Sequence, residues 1–558
     1  MQFMNGMKER KVVRAIVYAL VFPVSVPMIA YRHKLKGGDL RDLFVRRRRH
    51  APAHAVRWLR SCLWSRRSAE ALTRLRELRW RSAPAGIEHA EASQAIAAWL
   101  SANGDHAGAA EMLASISLSK LRWPEARAVN CVRAQALQKA GRDDEARAVL
   151  ETIPRWDSSC RLVLANTEQD PDRKIAILNE VMRLNGQMEI RRADEGAPIS
   201  VFNLAGRGPA RPCPDHGRVS VIFPVYNSER TIAAAVGSIL GQTYGNIEIV
   251  LVDDSSTDST WDILSAIAAD RDSVKLLRSP ANGGAYRARN LGLAHASGDY
   301  ITTHDADDWS HPEKIERQVL SLHANEALVA NGSHWVRVDP SFRFTSWELR
   351  PDLVRRSFPS FMIRREVFDE IGPWDPVRIS GDAEFMYRIK MFYGADRMEW
   401  IAPEAPLGFS LSGAASLTNT RATHASSSRH GLRRYYHEAF KYQWRAGDAV
   451  SAEARAARLA MCPDGMFRAG APDRDCDFRL LGDLTRPAVV ADIGTLCDSL
   501  DGRIAITHVP VVTLEDASHG RFCDAVFDLF RRPDVYPDAD TGDIGAACEI
   551  LVEPLGSR

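Results

Sequence analysis

The sequence predicts an α/β domain, a mostly parallel sheet with helices on both faces, preceded by an all-helical region. Three observations predict it. Apolar runs at 219–225, 247–252, 274–277 and 300–303 alternate with helix-period segments. Those runs carry apolar residues at consecutive rather than only alternate positions, as strands buried on both faces do. Upstream, residues 51–190 carry long Ala/Leu/Arg/Glu stretches punctuated by Gly104 and Gly141.

The chain has 558 residues, enough for two to four domains, and its 45% hydrophobic and 26% charged content is ordinary for a globular protein. Its net charge of +2 hides an asymmetry, because residues 1–81 hold 20 basic and 5 acidic side chains. Within this head, Ala15 to Tyr31 is uncharged, with Arg10, Lys11 and Arg14 before it and Arg32, Lys34 and Lys36 after it. About seventeen apolar residues are at the lower limit for crossing a bilayer. Pro23 and Pro27 would kink a helix there, and no small-x-small cleavage site ends the run. Residues 1–50 therefore read as an uncleaved membrane-associating segment, with Arg46 to Arg49 on anionic headgroups; a buried helix with a solvated basic tail is the alternative. The expected place is the cytoplasmic face of the inner (plasma) membrane, with an anionic membrane surface as partner and no nucleic acid. Nine scattered cysteines without a CxxC fit reduced thiols.

The region 51–205 contains Ala134 to Arg142, Glu145, Ala146 and Leu150, a spacing that resembles a tetratricopeptide helix hairpin. Residues 94–115 echo it, and 160–186 reads as a degenerate third copy; an irregular bundle is the alternative. The region is expected to offer a docking surface to a protein partner. Residues 206–217, rich in Gly, Pro and Arg, read as a linker. The α/β domain spans 218–430. Ser228 is placed to cap a helix bearing Ile232, Val236 and Ile239 on one face; further helices are expected at 260–268, 285–296 and 312–322. Residues 431–558 read as a C-terminal α/β region of unknown role, with strand-like pieces at 488–490 and 504–506 and a helix at 522–530.

Chemistry concentrates in Thr303-His304-Asp305-Ala306-Asp307-Asp308-Trp309, directly after an apolar strand. Carboxylates placed there are costly unless a cation meets them. Their oxygens are hard ligands suited to Mg²⁺ or Mn²⁺, ions that usually arrive with a substrate phosphate. Asp253-Asp254 closes another strand, so both acidic turns fall at the carboxyl edge of one sheet, where α/β proteins bind nucleotides. Tyr226 ends the first strand with a ring able to stack on a base. Asn282-Gly283-Gly284, followed by Arg287 and Arg289, is a glycine turn into a basic helix start that suits phosphate.

The run VSVIFPVYNSERTIAAAVGSILGQTYGNIEIVLVDDSSTDST, then NGGAYRARNLGLAHASGDYITTHDADDW, resembles the family 2 glycosyltransferases with the GT-A fold, over roughly residues 217–420. The resemblance implies transfer of a sugar from a nucleotide-diphospho-sugar, a UDP-sugar, to a saccharide or lipid-linked acceptor hydroxyl with inversion, in surface polysaccharide or glycolipid synthesis. It implies Pro224 and Tyr226 against uracil and ribose, Asp254 on uracil or ribose, and Arg289 near the nucleotide. It gives Asp307 the direct contact to Mn²⁺ or Mg²⁺, and Asp305 a contact to ribose or, through water, to the metal. It makes Asp382 the base, with Glu384 as the alternative. The family's Glu-Asp pair is incomplete here, since Gly381 precedes Asp382. His304 stands where the family often has an apolar residue and reads as a supporting or simply buried histidine. Trp309, Trp335 and Trp374 read as stacking platforms for acceptor sugars or as core. The QxxRW motif of processive synthases does not occur. Two rival functions differ in class: an inactive scaffold, which Gly381 permits, and a nucleotidyltransferase, which would carry a glycine-rich basic loop where Tyr226-Asn227-Ser228-Glu229 stands.

Overall fold

The computed structural model describes residues 55–84, 86–154, 156–208, 213–413, 423–447, 450–467, 476–510, 521–539 and 546–552. The expectations for the basic apolar head lie outside them, as does part of the 206–217 linker. Among the described residues no helix is long and apolar enough to cross a membrane, and all nine cysteines are free thiols.

The upstream region is helical as far as Leu184; beyond it, within the 51–205 expected to be helical throughout, Ile190–Arg192 pairs antiparallel with Leu204–Gly206. Its helices include Ile87–Ala102, His106–Ala114, Trp123–Lys139, Asp143–Glu151, Ser158–Ala165 and Pro171–Leu184. Gly104 and Gly141 end their helices at positive φ, +90° and +75°, which glycine adopts without steric cost. Asp105, Asp157 and Asp170 cap the helices that follow, each accepting from a first-turn amide. Helices adjacent in sequence are adjacent in space. This region is not a free-standing scaffold. Its inner face, with Leu137, Leu150, Leu162 and Leu178, shares one core with Trp309, Val336, Phe342, Phe344 and Phe409 of the α/β domain. Asn166 seals the seam, exchanging bonds of 2.8 and 2.7 Å with the Phe344 backbone.

The main sheet has seven strands, in the order Met398–Trp400, Ala330–Gly332, Met362–Arg364, Tyr300–Thr303, Val219–Val225, Ile247–Asp253, Val274–Arg278. Every pairing is parallel except those of Met362–Arg364, which runs antiparallel to both neighbours. Successive residues feed opposite faces. Ile222, Val250 and Val252 enter one core, while Val221, Phe223, Ile249 and Leu251 enter the other. A second, five-stranded sheet is built from Phe344–Thr345, His334–Val338, Pro406–Leu411, Asp308–Ser310 and Arg355–Arg356. It takes its edge strand straight out of the acidic turn.

Some boundaries move. The helix expected at 312–322 is Lys314–Ala324, because the Pro312 carbonyl is taken by the Thr243 amide. Ser228 makes no side-chain cap; the helix Ile232–Leu240 is preceded by Thr231 instead. Residues 488–490, expected as a strand, lie in the helix Pro487–Ser499, where Val489, Val490, Ile493 and Cys497 are buried at helical spacing. The C-terminal region is a four-stranded, all-parallel sheet ordered Val535–Asp538, Ile504–His508, Cys476–Gly482, Ala546–Val552.

A buried ionic network fastens this end of the chain to the α/β domain. Asp375 receives Arg458 at 2.7 Å, Arg388 at 3.3 Å and the Tyr436 hydroxyl at 2.8 Å. Glu384 pairs with Arg388 at 2.5 Å and Arg458 at 3.4 Å. The side chains of Asp375, Glu384, Arg388 and Arg458 are wholly buried. Removing one partner leaves uncompensated charge, which costs about 3–5 kcal/mol. Asp375→Ala is therefore expected to lower unfolding stability by that amount in denaturant titration; a loss under ~1 kcal/mol would contradict the network's role.

Candidate active site

Strands Val219–Val225, Ile247–Asp253 and Tyr300–Thr303 end on one edge, and their following turns form the site. The first two turns are tied together. Asn227 donates its amide to Ser256 Oγ at 2.9 Å, and its side-chain oxygen accepts from the Thr257 amide at 2.8 Å. Asn227 and Ser255 sit at positive φ, 47° and 61°, backbone strain stored where a ligand would meet the loops. Tyr226 is 46% exposed at this rim and Pro224 is half-buried behind it. Asp254 is buried and accepts from the Gly283 amide at 3.1 Å and the Gly284 amide at 2.7 Å. It holds the glycine turn, so the nucleotide contact expected of it rests on lone pairs the turn leaves unused.

The third turn carries the charge imbalance. Arg289, 4% exposed, donates to Asp305 at 2.8 Å and lies over the Tyr286 ring at 4.7 Å. Burial opposes its charge, but Asp305, Tyr286 and Asp382 outweigh burial and keep it protonated. Asp307 and Asp308 make no ion pair among the described residues, although Arg337 pulls on both and Lys314 on Asp308. Burial and then Asp305 push Asp307 up to about 6. Burial, Asp307 and Asp305 push Asp308 well above the usual carboxylate range, and its Oδ1 is buried without a hydrogen bond. Lys314, also buried, is lowered by desolvation to about 8 against the pull of Asp308 and Asp305. Among the described residues no three His, Cys, Asp or Glu side chains converge as a ready-made metal cage. The carboxylates fit a hard divalent cation held by one or two protein oxygens, with phosphate oxygens and water completing its shell.

His304 is structural. It is buried, stacks on Phe223 at 4.8 Å and donates Nδ1–H to the Asp305 carbonyl, and desolvation lowers it to about 3. Trp309 is core, stacked on Phe409 and bonded through Nε1 to the Leu204 carbonyl. Trp374 packs with Phe368 and Phe385, also as core. Trp335 stays half-buried beside Asp305 and Asp308, with Arg337 over its ring at 5.4 Å.

Asp382 opens the helix Gly381–Tyr393 and lines a cleft with Arg289, Thr303, Pro359 and Trp374. The adjoining cleft at Asp305, Asp308 and Trp335 shares Thr303 and Pro359 as its dividing wall. The site therefore brings Asp305, Asp307, Asp308, Arg289 and Asp382 together. Glu384 is a correction. It is wholly buried in the Arg388–Arg458 network and does not line the cleft at Asp382, which removes it as the alternative base. Tyr286 is not among the residues expected at the site, although it stands inside the run Asn282 to Asn290. Its hydroxyl accepts from the Asp382 amide at 3.0 Å, and a Cβ at residue 381 would meet its ring at 2.8 Å. Gly381 is thus the space Tyr286 needs, rather than a broken motif.

The raised carboxyl at Asp307 has a measurable sign. Its contribution to stability is fully present below the ordinary value of 3.8 and is lost as pH rises through about 6. Asp307→Asn is expected to raise the metal-free Tm by a few degrees at pH 7.5 and by little at pH 4; an equal gain at both would contradict the charge argument. Tyr286→Phe, which keeps the ring but not the hydroxyl, is expected to lower kcat by ~10-fold with donor KM unchanged; no change in kcat would show that the bond to the Asp382 amide is idle.

Residues 220–381 match the model of glycosyl transferase family 2. The chain is 38% identical over 117 residues to the glycosyltransferase GlyG of Streptococcus pneumoniae, covering 21% of this chain and 39% of that protein. It is 39% identical over 121 residues to the UDP-Glc:alpha-D-GlcNAc-diphosphoundecaprenol beta-1,3-glucosyltransferase WfaP of Escherichia coli, covering 22% and 47%. The chain thus spans less than half the length of these curated relatives. Residues 1–349 of S. aureus TarS, solved in complex with UDP-GlcNAc, are similar at 19% identity and a TM-score of 0.33, covering 44% of this chain and 70% of that one. Motif order and the family match agree: within the α/β domain, residues 220–381 carry the glycosyl transferase family 2 pattern.

Proposed function

We propose that the chain transfers a sugar from a nucleotide-diphospho-sugar, a UDP-sugar, to an acceptor hydroxyl with inversion. The observation that carries this is a pair of adjoining clefts, one at the under-neutralised acidic turn of Asp305 to Asp308 and the other at a separate carboxylate, Asp382. Tyr226 and Pro224 form the rim on which the base stacks, and Asp254 holds the glycine turn beneath the nucleotide. Asp307, with Asp305, would hold Mn²⁺ or Mg²⁺. When bound, such an ion neutralises charge on the departing diphosphate. Arg289 fixes Asp305 and adds positive potential on the same side. Asp382 removes the acceptor proton as the hydroxyl attacks the anomeric carbon, and the Tyr286 hydroxyl fixes its backbone.

The acceptor we propose is a saccharide or a lipid-linked saccharide of surface polysaccharide synthesis. WfaP, by its name, acts on a diphosphoundecaprenol-linked sugar. The basic apolar head, residues 1–50, would hold the enzyme at the cytoplasmic face of the membrane, on anionic lipid.

The test is UDP release from a panel of UDP-sugars with Mn²⁺. One donor is expected to be turned over, with the rate falling at least ~100-fold in Asp307→Ala and in Asp382→Asn. Turnover that survives both substitutions, or no nucleotide binding at all, would overturn the proposal.

A further inference from the structure

The helix Leu432–Arg445 begins beside the base, and its first turn carries Arg433. Arg433 Nη1 donates to Ser380 Oγ at 2.8 Å and Nη2 to the Thr423 carbonyl at 3.2 Å. Ser380, held in the left-handed region at φ 63°, directly precedes Gly381 and Asp382. Arg433 Nε is buried and has no hydrogen-bond partner among the described residues. No carboxylate lies within ion-pair distance of it among them, whereas the buried Arg289, Arg388 and Arg458 each meet one. Two more donors stand on this side. The Ser426 amide donates to His424 Nδ1 at 3.2 Å, which leaves Nε2 as that ring's donor. Trp64, stacked 6.4 Å from His424, has a buried Nε1 without an acceptor among the described residues. Burial lowers Arg433 despite the pull of Asp382 and Tyr286, and burial with Arg433 and Arg337 keeps His424 neutral.

A guanidinium bonded to two neutral oxygens, with a donor unused and Asp382 acting on it only beyond ion-pair distance, can receive an oxyanion. Which substrate supplies the oxyanion follows from the displacement. With inversion, attacking and leaving oxygens lie on opposite sides of the anomeric carbon. The diphosphate charge therefore develops away from Asp382; Arg289 is bonded to Asp305 of the acidic turn, whereas Arg433 is bonded to Ser380, two residues before Asp382, which puts Arg433 on the attacking side. We propose that Arg433, with His424, forms a subsite for an anionic acceptor, one that carries a phosphate or carboxylate near the hydroxyl that Asp382 deprotonates. This rests on the transferase reading above and adds the charge class of its acceptor.

The test uses sulfate as the probe, titrated by equilibrium dialysis against the full chain, with and without saturating UDP and Mn²⁺. One saturable sulfate is expected, unaffected by UDP and weakened at least ~10-fold in Arg433→Met. Displacement of sulfate by UDP would assign Arg433 to the donor diphosphate and overturn the proposal. So would the absence of saturable binding, or unchanged binding in Arg433→Met. The wild-type competition needs no variant, so a folding defect in Arg433→Met does not remove the test. UDP binding in the same experiment reports separately on the nucleotide site.

Discussion

One buried guanidinium organises the chemistry of this molecule. Arg289 is enclosed between Asp305, the Tyr286 ring and the approach to Asp382. Its charge is tolerated there only because carboxylates answer it. It commits Asp305, while Asp307 and Asp308 stay raised by burial and mutual repulsion despite the pull of Arg337 and Lys314, so a further positive charge would stabilise them. A site prepared for a substrate that arrives with a cation has this character, since the missing charge is supplied on binding.

The rest of the chain holds this edge rigid. The second sheet begins in the acidic turn, and the helical region closes over its far side through one apolar core. The C-terminal helices grip the Asp382 helix through Asp375, Glu384, Arg388 and Arg458. Carboxylates near one another repel, and only a framework fixed from both flanks keeps them where a ligand needs them. This gives the flanking regions a physical task in the site, although neither contributes a motif.

The α/β domain is legible in the sequence because its strands carry consecutive apolar residues and its acidic turns follow them at once. Its site is partly legible. Motif order picks out Asp305, Asp307, Arg289 and Asp382, and the fold gathers them. Glu384 misleads, because an acid in the first turn of a helix looks the same in sequence whether it faces a cleft or a buried arginine. It meets Arg388 one turn along its own helix and Arg458 from the helix Ala452–Ala460, a partner that local sequence does not reveal. Tyr286, although inside the Asn282 to Asn290 run, and Arg433 escape a motif reading because each acts across the fold, on Asp382 and on Ser380. Residues 488–490 form a helix rather than a strand because a short apolar run fits either period, and the burial of Ile493 and Cys497 decides it.

If a divalent cation and a nucleotide diphosphate together complete the acidic turn, each must strengthen the binding of the other. Calorimetry of UDP binding, with Mn²⁺ and again with a chelator, measures that coupling. UDP is expected to bind at least ~10-fold more tightly with Mn²⁺, and Asp307→Ala is expected to remove the difference. Equal UDP affinity in both conditions would contradict a cation-completed site.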